Sequence, residues 1–271
     1  MSVEAIVEYL NGQGIHTEPA RVLPSFLDPE SELQSPGRMP IQYAVQANSP
    51  IDVTPFRSVE AMSLASMAAV MYLKLDSGHR LLDVCAAPGM KGLYVKMLKP
   101  DVSYHCNDVS KDRLARLKRL FDTHDVRIEN MTHYAARFID RAYPSEYFER
   151  ILVDAPCSGE GVALGGSEEL AAAWSPAKVK RLQQLQIKIL KSSWQLLQPG
   201  GRLVYATCTL NRNENERVVK KALGFTLRVQ EAPLSLDQLP SLGNDEAWRI
   251  LPSANSIGFF IAVIDKTEEI D

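Results

Sequence analysis

From residue 59 onward, short apolar runs alternate with stretches whose apolar positions recur near every 3.6 residues. Residues 59–73 are small and apolar and predict a helix. Residues 80–84 form a short apolar strand that runs into the loop Cys85-Ala86-Ala87-Pro88-Gly89-Met90-Lys91. A helix over 92–98 follows and stops at Pro100. Residues 102–107 predict a second strand ending at Asp108. Ser110 is suited to cap the next helix, whose Leu114, Leu117 and Leu120 share one side. Third and fourth strands are expected at 127–130 and 150–154. Val179, Leu182, Leu185, Ile189, Trp194 and Leu197 then mark a long amphipathic helix over 176–197. Pro176 stands at its first position and Pro199-Gly200-Gly201 at its end. A fifth strand at 202–207, a helix at 213–223 and an apolar strand at 258–264 complete the pattern.

Alternating strands and helices predict an α/β fold, a mostly parallel sheet with helices on both faces. Ligands of such sheets bind beyond the carboxyl ends of the strands, and the chemistry-bearing loops of this chain all sit there. Residues 1–50 differ. Six prolines (Pro19, Pro24, Pro29, Pro36, Pro40 and Pro50) break any long periodicity. A short helix over 3–10 and otherwise loops are expected. We divide the chain into an N-terminal appendage, 1–55, and a domain, 56–271.

Composition changes the picture little. At 271 residues, 45% hydrophobic and 23% charged, the chain suffices for one substantial core. Its longest mostly apolar stretch, 62–73, is too short to span a membrane. The start lacks the basic region of a secretory signal, so a reducing cytoplasm is expected. Cys85, Cys106, Cys157 and Cys208 form no CxxC pair, which argues against zinc and against a disulfide framework.

The net charge of -3 does not advertise a nucleic-acid binder, but its distribution is uneven. Residues 1–60 hold eight acids and three bases. Residues 111–119 hold five bases and one acid, and 178–191 hold five bases and no acid. Such local faces hold phosphates or are merely solvated; charge alone does not decide.

The candidate chemistry lies in three loops. The first, Cys85 to Lys91, has small residues that let backbone approach a ligand, but it is not GxGxxG. Asp108, ending the second strand, suits ribose hydroxyls. NAD, S-adenosylmethionine and a nonfunctional loop all fit these residues. The other two loops follow the fourth and fifth strands. They read Asp154-Ala155-Pro156-Cys157-Ser158-Gly159-Glu160-Gly161 and Ala206-Thr207-Cys208-Thr209-Leu210. Adjacent strands would bring Cys157 and Cys208 together beside the first loop. Two cysteines and an aspartate at one crevice are hard to explain as packing.

The motifs DVCAAPGMK, DAPCSGEG, QPGG and YATCTLNRNENE resemble those of the RNA cytosine-C5 methyltransferases of the Nop2/Sun family. THYAAR and AAWSP look most like the bacterial branch that modifies 16S ribosomal RNA. The resemblance covers about residues 56–223 and a C-terminal GFFIAVI strand. It implies a Rossmann-like S-adenosylmethionine-dependent methyltransferase fold with a seven-stranded sheet. It also implies an RNA substrate, ribosomal or transfer, met in a ribonucleoprotein or with a partner protein, and a monomeric enzyme. By this resemblance Cys208 is the nucleophile that adds to C6 of cytosine and Cys157 promotes product release. Asp154 stabilises the base and Lys91 positions Asp154. Cys85, Ala86, Ala87, Pro88, Gly89, Met90 and Lys91, with Asp108, Ala135 and Asp154, hold the cofactor. The family pattern departs at Ala135, where relatives carry an acid that accepts from the cofactor's adenine amino group.

Rival readings make Cys157 the nucleophile, as in the DNA cytosine-C5 methyltransferases, or make the chain a noncatalytic RNA-binding or assembly factor. A small-molecule methyltransferase would not need two cysteines. The basic helices around Arg113 and Lys180, and Arg212, are the candidate phosphate contacts. With an acidic N-terminal segment and no long basic extension, weak intrinsic RNA affinity is expected.

Overall fold

The structure, a computed structural model, describes residues 62–164, 166–233, 240–253 and 256–267. The expected helix at 3–10 and the boundary at 55/56 lie outside them. The described residues form one eight-stranded sheet. The strands are β1 (Arg80–Asp83), β2 (Ser103–Asn107), β3 (Asn130–Thr132), β4 (Phe148–Asp154), β5 (Leu197–Thr207), β6 (Arg228–Pro233), β7 (Glu246–Leu251) and β8 (Phe259–Asp265). Their order is β3-β2-β1-β4-β5-β8-β7-β6. Only the pairings of β8, with β5 and with β7, are antiparallel. The chain order turns outward in both directions from β1 and β4, which makes their carboxyl ends a crevice of the kind that binds ligands.

Successive side chains on the strands serve opposite faces. Leu81, Leu152, Val204, Ile261 and Val263 point to one side of the sheet, where they meet α1 (Leu64–Met71), α2 (Met90–Leu98) and α3 (Lys111–Thr123). Leu82, Val84, Ile151, Val153, Leu203, Tyr205, Phe260 and Ala262 point to the other. That side is covered by a 3-10 helix (Ala136–Arg141), by α6 (Pro176–Leu196) and by α7 (Glu216–Leu223). Two short helices, α4 (Glu160–Leu164) and α5 (Glu168–Ala172), lie between β4 and α6.

The structure differs from the sequence expectations in a few places. The sheet has eight strands rather than seven, because β6 and β7 extend it beyond β8. The third strand is Asn130–Thr132 rather than 127–130, since its register is set by His105, Cys106 and Asn107 of β2. The helix expected over 59–73 begins, among the described residues, at Leu64, where the Ser63 hydroxyl accepts from the Ser66 N–H. That expected at 213–223 begins at Glu216, because the Glu214 N–H is taken by the Asn211 side chain instead.

Candidate active site

The first loop turns on Gly89, whose φ of +113° favours glycine and whose missing Cβ would stand 2.9 Å from Leu117 Cγ. Its backbone is tied to the second strand: Ala86 N–H donates to the Asn107 carbonyl at 2.8 Å and Ala87 N–H to Asp108 Oδ2 at 3.3 Å. Asp108 also accepts from the Ser110 N–H at 2.9 Å. Arg113 adds an ion pair to Asp108 at 3.3 Å and donates to the Ala87 carbonyl. Arg113, expected among the phosphate contacts, therefore braces this loop. Arg212, another such candidate, pairs with Glu216 at 4.0 Å.

A cleft of about 510 Å³ opens at the carboxyl ends of β1, β4 and β5, a size that suits a nucleoside-sized ligand. Of the expected cofactor residues, Cys85, Ala87, Lys91, Asp108, Ala135 and Asp154 line it. Ala86, Pro88, Gly89 and Met90 are not in the lining and build the turn. Ser66, Ile257 and Phe259 also line the cleft. Sequence reasoning missed them because they come from outside the motif loops.

The expected catalytic residues converge at the inner end. The neighbouring strands β4 and β5 place Asp154 opposite Ala206, so the loops that follow emerge side by side. Cys157 Sγ and Cys208 Sγ lie 3.0 Å apart. Lys91 Nζ, from the first turn of α2, meets Asp154 Oδ2 at 2.7 Å. Burial opposes the charge of Lys91, but Asp154 outweighs it and the ammonium is held above its ordinary value. Contact with Cys208, and then burial, push the Cys157 thiol up, so it is protonated at neutral pH. Burial does the same to Cys85 and Cys106, and Cys106 is fully enclosed, an inert core thiol. Beneath the ion pair, Asp83 is buried and its Oδ2 accepts from the Tyr104 hydroxyl at 3.1 Å. Burial, and then the Asp154 charge, push its carboxyl up to about 7.

A buried polar network locks the two cysteine loops together. Glu160 Oε2 accepts from the Thr209 hydroxyl at 2.6 Å and from the Leu210 and Asn211 N–H groups at 3.3 and 3.1 Å. Its Oε1 accepts from Trp174 Nε1 at 2.8 Å and Asn211 Nδ2 at 2.7 Å. Glu214 Oε2 accepts from the Ser158 N–H at 3.0 Å and from Gln186 Nε2 at 2.8 Å. The same Gln186 nitrogen donates to the Pro156 carbonyl at 2.9 Å. Gly161 N–H donates to the Cys208 carbonyl at 3.0 Å. A side chain at Gly161 would strike the Gly258 carbonyl, 1.8 Å from its Cβ, so only glycine lets the backbones pass. Glu160 and Glu214 are functional supports that the sequence reading did not single out, although both lie within the quoted motifs.

The fold is that of a Rossmann-like methyltransferase domain, and its cleft holds two thiols side by side. The chain belongs to the family 16S rRNA methyltransferase RsmB/F, which it matches over residues 70–265. It is 33% identical over 219 residues to the ribosomal RNA small subunit methyltransferase F of Cronobacter sakazakii, covering 78% of this chain and 45% of that protein. To the ribosomal RNA small subunit methyltransferase B of Klebsiella pneumoniae it is 33% identical over 187 residues, with 68% and 41% covered. Among solved structures it is similar to NSun6 from Pyrococcus horikoshii with SFG. That match has a TM-score of 0.67 and 25% identity, and covers 83% of this chain and 57% of that one. The chain thus spans about half the length of the curated relatives it matches.

Proposed function

We propose that this chain is an S-adenosylmethionine-dependent RNA methyltransferase that modifies C5 of cytosine in ribosomal RNA. The observation that carries this is the pair of sulfurs 3.0 Å apart beside the Lys91–Asp154 ion pair, inside a cleft of cofactor size. The residues fit the cofactor: Cys85, Ala87, Asp108 and Ala135 would hold it, and bound there it supplies an electrophilic methyl group. Of these, Asp108 would be the acceptor for a ribose hydroxyl.

C5 of cytosine is a poor nucleophile until C6 carries an electron-donating substituent. The Cys208 thiolate adds to C6, and the displaced electron pair makes C5 reactive. Asp154, held by Lys91, faces the N3 and N4 side of the base and stabilises the adduct. Release requires transfer of the C5 proton to water or another base in the cleft, so that its electron pair re-forms the C5–C6 double bond and expels the Cys208 thiolate. Cys157, protonated and 3.0 Å from that sulfur, gives its proton to the thiolate as it leaves. The target base must leave its stack to enter such a cleft. The described residues contain no helix long and apolar enough to cross a membrane, and four free thiols suit a reducing cytoplasm.

Tritium transfer from labelled S-adenosylmethionine to bulk RNA, followed by bisulfite sequencing of host RNA with and without the gene, tests the function. Absence of both cofactor binding and transfer would leave the assembly-factor reading. The two cysteines are told apart by Cys157→Ala. This variant should accumulate a protein–RNA adduct that survives denaturing electrophoresis, because attack and methylation proceed while release stalls. The adduct appearing with Cys208→Ala instead would reverse the roles.

Ala135 makes a further prediction. The family's adenine-contacting acid is absent there, and the nearby polar groups are otherwise engaged. Thr132 Oγ1 donates to Asn107 Oδ1 at 3.0 Å and the Tyr134 carbonyl accepts from Asn107 Nδ2 at 3.1 Å. Ala135→Asp should therefore tighten S-adenosylmethionine binding about threefold to thirtyfold, measured by calorimetry, if a hydrogen bond contributes roughly 0.5–1.5 kcal/mol or somewhat more when charged. Unchanged or weaker binding would show that the adenine is satisfied another way.

A further inference from the structure

A second cavity, of about 470 Å³, lies between the 3-10 helix and α6. Arg137, Arg181 and Lys188 line it with Leu182, Gln184 and Leu185. Arg137 and Leu185 also line the reaction cleft, so the two spaces adjoin. All three cations are exposed. Among the described residues no carboxylate lines this cavity. A solvated helix face ordinarily balances its cations with acids three or four residues away, but α6 has no acid in 21 residues. Arg181 and Lys188, seven residues apart, project from one face of α6 toward Arg137 across the groove. Three like charges around a hollow repel one another unless an anion sits between them. Beside them the exposed ring of Phe138 carries the guanidinium groups of Arg137 and Arg141 at 4.8 and 4.6 Å, an arrangement that keeps Arg137 at the junction of the two spaces.

We propose that this pocket binds a backbone phosphate of the RNA strand next to the flipped cytosine, so that Arg137, Arg181 and Lys188 set which nucleotide reaches Cys208. This rests on the RNA-methyltransferase reading for the identity of the strand, though not for the anion site itself. A phosphate contact positions a strand without reading its sequence. The pocket would therefore fix register, and sequence choice would lie elsewhere.

The test is binding of a short single-stranded RNA to the full chain, followed by fluorescence anisotropy over a range of salt concentrations. Arg181→Gln combined with Lys188→Gln changes two exposed side chains and should weaken binding about tenfold near 0.1 M salt. It should also reduce the slope of log affinity against log salt by about 0.7, the value for one phosphate contact on a single strand. Lys220→Gln with Lys221→Gln, on the exposed face of α7, should change neither. In methyl transfer, the first double variant should raise KM for RNA with kcat unchanged. Equal losses in the two double variants would overturn the proposal in favour of a diffuse basic field. An unchanged salt slope in the first would overturn it outright, even where the wild type methylates RNA normally. Loss of binding to an oligo-glutamate but not to RNA would overturn it in favour of an acidic protein partner. If the wild type transfers no methyl group yet the salt slopes differ as expected, the anion site stands and the reading of the active site fails.

Discussion

Cys208→Ala should abolish methyl transfer, on the order of a 10⁴-fold loss or more, while leaving cofactor affinity and thermal stability close to wild type. The size follows from the chemistry: without a sulfur adding to C6, C5 has no means of becoming nucleophilic, and the remaining groups only bind and orient. The small side effects follow from position. Cys208 is half-buried at the end of β5, and its side chain makes one polar contact, to Cys157. Its backbone carbonyl, which anchors Gly161, survives the substitution. Activity is best read by single-turnover transfer of label to RNA, and affinity by calorimetry. Residual transfer within tenfold of wild type would assign the nucleophile elsewhere, with Cys157 the first candidate. A large drop in melting temperature would show that the loss comes from misfolding and not from missing chemistry.

The central strands and long helices were legible because their signals are local. The stretches 80–84, 150–154 and 202–207 within or at the ends of β1, β4 and β5 are mostly apolar runs closed by a turn, and α6 announces itself by its period, by Pro176 and by the Ser175 cap, whose hydroxyl accepts from the Lys178 N–H. The juxtaposition of Cys157 and Cys208 was legible too. It needs only that β4 and β5 be neighbours, which the strand–helix alternation makes the simplest arrangement. β6 and β7 escaped notice because their patterns are mixed. Arg228, Gln230 and Glu231 put charge and polarity into β6, and β7 buries an arginine.

Arg249 of β7 is fully enclosed, donates to the Leu210 carbonyl at 3.0 Å, and meets Glu216 and Glu231. A charged residue in a short run reads as surface until its partners are known, and those partners are 33 and 18 residues away. The same limit hid the second cavity. Arg137 and Arg181 are distant in sequence, and only packing of the 3-10 helix on α6 brings them to one hollow. Ala86, Pro88, Gly89 and Met90 were assigned to the cofactor with their neighbours because a motif does not say which of its residues face the ligand and which make the turn.

Glu160 carries the other large expected effect, and here the readout is stability. Five donors converge on its two oxygens, four from residues 209–211 beside Cys208 and one from Trp174, just after α5. Burial pushes this carboxyl up, against the pull of the Thr209, Trp174 and Asn211 donors. Glu160→Ala would leave the buried Leu210 and Asn211 backbone N–H groups without this acceptor and would take one acceptor from Trp174 Nε1. Each buried donor left unpaired costs about 1–3 kcal/mol. Because water and neighbours recover part of this, the expected total is about 4 kcal/mol, in the range seen when one member of a buried polar set is removed. For a chain of this size that lowers the melting temperature by roughly 8–16 °C. Glu160→Gln keeps the shape but turns an amide N–H₂ toward donors, and should fall between wild type and alanine. Cofactor affinity should hold at temperatures where the variant stays folded, because the Cys85-to-Lys91 loop is anchored separately through Asn107 and Asp108. Methyl transfer should fall, since the cysteine loops lose the link between Glu160 and residues 209–211. A melting temperature within about 3 °C of wild type would show that the network contributes little, and a parallel fall in cofactor affinity would show that it also supports the first loop.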